Sequence, residues 1–597
     1  SRTKAAHGAR PAISFQITSG PTDKAQTLTW NALHGRVTQA ANLFRSLGVG
    51  EKDVVAYVLP NCLDTAVTLL AGSVAGIVNP INPLLEPEQI GAILRETKAK
   101  VVVTLRAFPK TDVPQKVAAA VALAPNVQTV LEIDLLTYLG FPKNLIVPLI
   151  RPKNPVTHKA RVLNFGAEVA RQPADKLTFA DSTTDRVAAY FHTGGTTGMP
   201  KVAQHRTSGM VYNGWVGATI LFRAGDVVLC PLPLFHVFAA YPIMMSMIAS
   251  GAHVVFPTPA GYRGEGVFDN FWKLVERWKV TYTITVPTAL AALMQRPVNA
   301  DISTLRGTFS GSAPLPIELY NRFKAATGLE IIEGYGLTEA TCLVSCNPPD
   351  GQKRIGSVGM PFPHTSVRIL MQRADGFQDC SVDEVGEICV SNPGVFDGHT
   401  YTEADKNKDL YADGKWLRTG DLGRIDADGY LYITGRAKDL IIRGGHNIDP
   451  ATIEEALMGH PAVGFVGAIG QPDAHAGEIP AAYVELVKGA TATADDLMEF
   501  AKGAISERAA VPKHIEILPE LPKTAVGKVF KPDLRRMAMT RIYDAELAAA
   551  GIPARVSGVI EDKKRGLVAQ LSKSGPVDDA RVAEVLGNHI RPWEWAA

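Results

Sequence analysis

The sequence predicts an α/β fold: a large N-terminal domain with parallel-type sheets flanked by helices, plus a small α+β C-terminal domain. Three observations carry that expectation. Length is the first, because 597 residues exceed what a single hydrophobic core holds. The second is rhythm: short, β-branched apolar runs alternate with helical patterns, as parallel strands with helical crossovers require. The third is a change of texture after residue 380, where hairpin-like runs replace the strand–helix alternation.

In chain order, residues 65–85 and 237–257 come first, each with enough uncharged length to raise the question of a membrane span. Both are interrupted, the first by Gly76 and Pro80, the second by Gly251 and His253. Each therefore reads as a buried helix followed by a short buried strand, the pattern of a sheet covered on both faces. KVVVTL (100–105), DVVLCPLP (226–233), AHVVFP (252–257), VTYTITVP (280–287) and LEIIEGYG (329–336) read as strands. FDNFWKLVERWK (268–279) and IELYNRFKAATG (317–328) read as helices. Residues 135–185 break the rhythm, with Pro142, Pro148, Pro152 and Pro155 among basic residues, and read as an insertion or a long connection. Within it, LGFPKNLIVPLIRPK fits either a loop packed on the body or a peripheral membrane contact. Later, EVGEICVS reads as a strand and IDADGYLYITGR (425–436) as a hairpin turning at Asp428-Gly429. The expected division is 1–436, 437–540 and a tail of unclear role, 541–597, either an added cap or an oligomer contact such as a homodimer would use.

Composition narrows the class. With 46% hydrophobic and 20% charged residues and a formal charge of +2, the chain has no single-sign field, so no nucleic-acid partner is expected. The opening SRTKAAHGARP has no apolar signal core, and no transmembrane span is expected. Cys62, Cys230, Cys342, Cys346, Cys380 and Cys389 form no paired Cys-x-x-Cys sets. They read as reduced thiols of a cytoplasmic protein. Cys342 and Cys346, four apart, could share a helix face as packing residues.

Chemistry begins at FHTGGTTGMPK (191–201), a stretch too polar to be core. Glycine lets a backbone approach a ligand, threonine adds hydroxyl donors, and successive N–H groups can cradle an anion. Thr193, Gly194, Gly195, Thr196, Thr197 and Gly198, with Lys201, thus fit a phosphate cradle and fit equally a Gly/Thr surface loop. A Walker loop is excluded, since Pro200 precedes the lysine and Val202 follows it. Further polar, glycine-bearing stretches close other strand-like runs: SGSAPLP (310–316), EGYGLTEAT (333–341), WLRTGDLGR (416–424), GRAKDLIIRGGHNI (435–448) and LPKTAVGKVFK (521–531). Singly, each has a plain structural reading: Glu339 as a helix cap, Asp421 as a turn residue, Lys528 as a lysine in a glycine-marked turn.

In this order and spacing the stretches resemble the adenylate-forming superfamily, its acyl-CoA synthetase branch, over roughly residues 10–535. The resemblance implies ATP, Mg²⁺ and coenzyme A, and a two-step reaction of a small carboxylic acid. The 193–198 loop with Lys201 would hold the β- and γ-phosphates. Tyr335, followed by Gly336, would stack on adenine against Gly311, Ser312 and Ala313. Thr338 would offer its hydroxyl to the α-phosphate, and Glu339 would ligate Mg²⁺ as a hard oxygen donor. Asp421 would accept the ribose hydroxyls and Arg436 would reach the ribose. Lys528 would neutralise charge between acid and α-phosphate.

The resemblance also implies that the small domain is mobile, with Lys438 as hinge and Gly445 beside the pantetheine path. His236 in PLPLFHVFAAY stays open between a place at the acyl pocket and a structural role. Val202 departs from the glycine usual in the family after the lysine. The tail shows no Gly-Gly-x-Ser carrier site, which favours free coenzyme A over a separate acyl carrier protein as acceptor. The pocket neighbourhood, with Val237, Phe238 and Ala239, points to a hydrophobic acid: fatty, branched, alicyclic or aryl. A non-catalytic nucleotide-binding protein on the same scaffold is the reading from a different class. Lys201, Glu339, Asp421, Arg436 and Lys528 weigh against it.

Overall fold

A computed structural model of the chain describes residues 2–153, 157–193, 200–525, 527–562 and 565–596. Two large, mostly parallel sheets form its body. The first runs in the order Arg161–Asn164, Thr129–Ile133, Ala99–Leu105, Val54–Val58, Ile77–Ile81, Val187–Thr193, Lys201–Arg206. Every residue of Val54–Val58 and Ile77–Ile81 is buried, as a strand covered on both faces demands. The helix Leu63–Ala75 and strand Ile77–Ile81 are the helix and strand expected of residues 65–85.

The second sheet has nine strands: Met360–Pro361, Cys342–Cys346, Ile331–Leu337, Gly307–Ser310, Tyr282–Thr285, Val227–Leu229, His253–Phe256, Pro11–Gln16, Ala25–Thr29. Its middle six are parallel and its margins antiparallel. One continuous core, from Phe15 and Leu69 to Phe191, Tyr241 and Phe309, fills the space shared by both sheets. Cys342 and Cys346 lie on one strand rather than a helix; at a side-chain period of two, positions four apart share a face there too.

A third, antiparallel sheet carries Ser366–Arg373, Gly376–Asp379, Gly386–Ser391, Tyr411–Ala412, Trp416–Ile425 and Leu431–Arg436. The expected hairpin is its last pair, with Gly429 at φ +86° in the turn. The next sheet, built on Val463–Asp473 and Gly477–Leu486, has its own core around Ile453, Leu457, Val484 and Leu497. It also packs against the body: its Phe465 and Ile469, with Leu534 of the helix Lys531–Ala549, share a buried cluster with Leu290 and Leu293 of the helix Pro287–Leu293.

The tail folds as a further layer. The helix Lys531–Ala549 supports a sheet of Ala554–Asp562, Gly566–Lys573 and Trp593–Trp595 through Met539, Tyr543, Leu547 and Leu571. The 135–185 stretch is more regular than its prolines suggest, because Arg161–Asn164 adds an edge strand to the first sheet. Its helix Lys143–Ile150 buries only Val147. Among the described residues no helix is long and apolar enough to cross a membrane.

Candidate active site

The parallel strands of both large sheets end on one region, and their C-terminal ends deliver most of the candidate residues. Val187–Thr193 brings Thr193, which pairs antiparallel with Lys201. Gly194, Gly195, Thr196, Thr197 and Gly198 lie outside the described residues, but their flanks are the two strands of a hairpin. Gly307–Ser310 leads into Gly311, Ser312 and Ala313. A Cβ on Gly311 would sit 3.1 Å from the Phe238 ring and 3.2 Å from the Gly334 carbonyl, so a side chain there would press on both. Ser312 takes φ +73° as the chain leaves the strand.

Ile331–Leu337 brings Tyr335 and Gly336, with a bulge between them. A Cβ at Gly336 would lie 2.0 Å from the Cys342 carbonyl oxygen. The buried Tyr335 hydroxyl donates to Asp421 Oδ2 at 2.5 Å, and Arg436 Nε donates to Asp421 Oδ1 at 2.7 Å. Asp421 and Arg436 face one another as register partners on neighbouring strands, which is why residues fifteen apart meet. Burial and the adjacent Asp421 carboxylate push the Tyr335 phenol up, keeping it a donor.

Lys528 joins this cluster from the small domain. Its N–H donates to Thr524 Oγ1 at 3.1 Å, and its carbonyl accepts the Thr524 N–H at 2.7 Å, closing a tight loop. Gly527 sits at φ +82° with Thr288 of the body only 2.7 Å from where a Cβ would be. The loop is thus seated on the large domain at a position a larger residue would disturb. Burial, then the nearby Arg436, push the Lys528 amine down to about 8, while Asp421 and Glu339 pull the other way.

Glu339 and Thr338 form the short turn after the strand. The Tyr401 hydroxyl donates to Glu339 Oε1 at 2.5 Å, and Lys201 Nζ stands 4.8 Å from the centre of the same ring. Burial, then the charge of Lys438, push the Lys201 amine down. A carboxylate shared with phosphate oxygens and water is a usual way to hold Mg²⁺ beside a nucleotide, and Glu339 fits that donor set.

His236 caps the helix that follows it, Nδ1 accepting the Phe238 N–H at 3.2 Å. Burial, then Lys528, then His192 push its imidazole down to about 3, so it is neutral beside the lysine. The cap is a structural role. Gly445 stands apart from the cluster, exposed at φ +84° in the turn between Ile441–Arg443 and His446–Ile448. Lys438 is exposed two residues after Arg436.

Three residues of the site escaped the sequence reading. Tyr401 is one. His205 is another: its Nε2 lies 2.7 Å from the Thr338 carbonyl and its Nδ1 2.8 Å from the Tyr241 hydroxyl. Burial pushes it down to about 4, so one ring nitrogen carries the proton. A carbonyl only accepts, so Nε2 is the donor and Nδ1 accepts from Tyr241. His205 therefore fixes the Thr338 backbone. The third is His192, at the root of the 193–198 loop, whose Nε2 accepts the Asn82 N–H at 3.0 Å. His205 sits buried on Lys201–Arg206, a strand that is polar at Lys201, Gln204 and Arg206 as well, so nothing in the sequence set it apart.

The AMP-binding enzyme family profile matches residues 1–400, and that of the AMP-binding enzyme C-terminal domain matches residues 452–528. The chain is 38% identical over 540 residues to the marinolic acid–CoA ligase of Pseudoalteromonas sp., covering 89% of this chain and 79% of that one. It is 32% identical over 517 residues to the long-chain-fatty-acid–CoA ligase of Bacillus subtilis, covering 83% and 88%. Among solved structures, the anthranilate CoA ligase AuaEII in complex with anthranoyl-AMP superposes with a TM-score of 0.77 at 25% identity, covering 92% of this chain and 96% of that chain.

Proposed function

The chain belongs to the AMP-binding enzyme family, and we propose that within it the protein works as an AMP-forming acyl-CoA ligase. The observation that carries this reading is the seating of the small-domain Lys528 loop on the large domain, Gly527 against Thr288, with Arg436, Asp421 and Glu339 all bearing on the charge of the Lys528 amine. A protein that only held a nucleotide has no need of a second-domain cation at the reacting end.

A carboxylate is a poor acyl donor because oxide leaves badly. In the first step a carboxylate oxygen attacks the α-phosphorus of ATP, the bond to the bridging oxygen breaks, and pyrophosphate departs. Lys528 lies between the two negative groups and offsets their repulsion. Such preorganised charge is worth on the order of 10²–10³ in rate. Asp421 binds the ribose, steadied by Tyr335 and Arg436, and the Tyr335 ring carries the adenine. Thr338, fixed by His205, directs its hydroxyl to the α-phosphate. Glu339 would hold Mg²⁺, which supplies charge neutralisation on the phosphates. In the second step the thiol of coenzyme A attacks the acyl carbon, loses its proton, and AMP leaves. Gly445 and the hinge at Lys438 serve that step.

The acid we propose is hydrophobic and monocarboxylic. Phe238 lies against Gly311, Val237 and Ala239 on either side of it are buried and apolar, and the long-chain fatty acid named for one curated relative agrees with that class. Six unpaired cysteines suit a reducing, cytoplasmic compartment.

A membrane surface is the partner we assign to residues 141–150. Phe141 is 83% and Leu149 85% exposed, with Leu145, Ile146 and Ile150 exposed beside them. From residue 135 to 167 there are five Lys or Arg and no Asp or Glu; Arg151 is paired with Asp134, and Lys143, Lys153, Lys159 and Arg161 leave the segment net positive. Anionic lipid headgroups match that charge.

Pyrophosphate release with ATP and Mg²⁺ across a panel of acids, each with and without coenzyme A, tests the reading. Release that needs one class of hydrophobic acid and quickens with the thiol supports it. Release indifferent to coenzyme A indicates a carrier-protein acceptor, and ATP binding with no turnover indicates the non-catalytic scaffold.

A further inference from the structure

Among the described residues, the tail beyond the helix Lys531–Ala549 returns to touch the small domain at the root of the Gly445 hairpin. Its last turn is pinned to the helix at two points. His589, whose side chain is wholly buried, lies with Nε2 2.8 Å from a Glu546 carboxylate oxygen. The Arg591 carbonyl accepts the Tyr543 hydroxyl at 2.5 Å. Between these anchors Ile590 reaches to 3.8 Å from the Cβ position of Gly477.

Held this way, Arg591 Nη2 donates to Glu478 Oε1 at 3.1 Å. The Glu478 side chain is 12% exposed, so its charge is largely removed from water. Its second oxygen, Oε2, accepts the backbone N–H of Ile442 at 3.3 Å. Ile442 belongs to Ile441–Arg443, the first strand of the hairpin whose turn is Gly444–Gly445, and that turn is tied back by the Gly444 N–H to the Ala476 carbonyl at 2.8 Å. The chain of contacts therefore runs from the tail through Arg591 and Glu478 into the backbone of the hairpin.

We propose that Arg591 is a positioning residue for the thioester step: the tail braces, through Glu478, the hairpin that guides the thiol to the acyl-adenylate. This rests on the ligase reading given above. A charge-assisted contact to a nearly buried carboxylate is stronger than a neutral one, and it fixes geometry as well as energy. Without the guanidinium, Glu478 is left as a poorly solvated charge that repacks or draws in water, and the Ile442 N–H loses a fixed acceptor. Positioning errors of about 1 Å cost up to about 10²-fold in rate. The adenylation step, which uses Lys528 and the large domain, involves none of these groups.

The test separates the half-reactions. Arg591→Ala should leave acid-dependent pyrophosphate release in the absence of thiol unchanged, while raising KM for coenzyme A and slowing single-turnover consumption of acyl-adenylate about tenfold. Arg591→Lys should recover part of that loss. Glu478→Gln, which retains an acceptor for Ile442 but not the ion pair, should resemble Arg591→Ala. Equal loss in both half-reactions would mean a merely structural role, and no loss in either would mean the brace is idle; both results overturn the inference. A wild-type chain that adenylates acids but makes no thioester with coenzyme A would instead sink the ligase reading, and the brace with it.

Discussion

The small domain presents two glycine-marked loops in opposite circumstances. The Lys528 loop is seated on the body, with Gly527 against Thr288 and the amine among Asp421, Arg436 and Glu339. The Gly444–Gly445 turn faces open space, with no atom within 4 Å of either Cβ position. One rigid domain cannot deliver both loops to one site at once. On the ligase reading proposed above, this is the arrangement suited to adenylation, and we propose that the thiol step turns the small domain about the segment at Lys438, which lies exposed between the two sheets.

The contrast breaks most visibly at Lys528. Lys528→Ala should lower the rate of adenylation by on the order of 10²–10³, with little effect on thioester formation from supplied acyl-adenylate. Next comes Gly445→Leu. A side chain at φ +84° is strained and would stand in the thiol's path, so thioester formation should fall by about 10² while adenylation holds. Preserved adenylation doubles as the control for folding.

Tyr401→Phe should have a smaller effect, roughly tenfold, because one hydrogen bond to the Glu339 carboxylate is lost while the ring under Lys201 stays. It should appear as a higher Mg²⁺ requirement in adenylation and not in the thiol step. The gentlest probe is pH. Lys528 acts as a cation and its amine is pushed down to about 8, so it loses charge as pH rises through that value. The adenylation kcat/KM, which reports the free enzyme, should drop to about half between pH 7 and pH 8. Lys528→Arg should remove that limb. For the 141–150 helix, Leu145→Glu with Leu149→Glu should abolish sedimentation with phosphatidylglycerol vesicles and leave turnover of a water-soluble acid unchanged. Vesicle binding that survives the substitutions would refute the membrane assignment.

Much of the site was legible because each motif is a continuous run closing a strand, and strands that end together bring their following residues together. Tyr335, Thr338 and Glu339 follow from one strand end; Asp421 and Arg436 follow from one hairpin. Tyr401 and His205 were not legible, since their roles arise from residues 62 and 133 positions away. The spacing of Cys342 and Cys346 suited a helix and a strand alike, and neighbouring strands decided it. The order of the tail was hidden for the same reason. Its apolar residues are spaced for a sheet packed on a helix, Val556 and Leu571 against Tyr543 and Leu547, and that partner is declared only in three dimensions.

The most direct test of the two-loop account is to time both half-reactions in single turnovers for Lys528→Ala and Gly445→Leu side by side. The account predicts a crossed result: the lysine variant fails to make acyl-adenylate yet consumes it with coenzyme A, and the glycine variant makes acyl-adenylate yet fails to consume it. If both variants lose the same half-reaction, or each loses both equally, the two loops do not alternate at one site and the account is wrong.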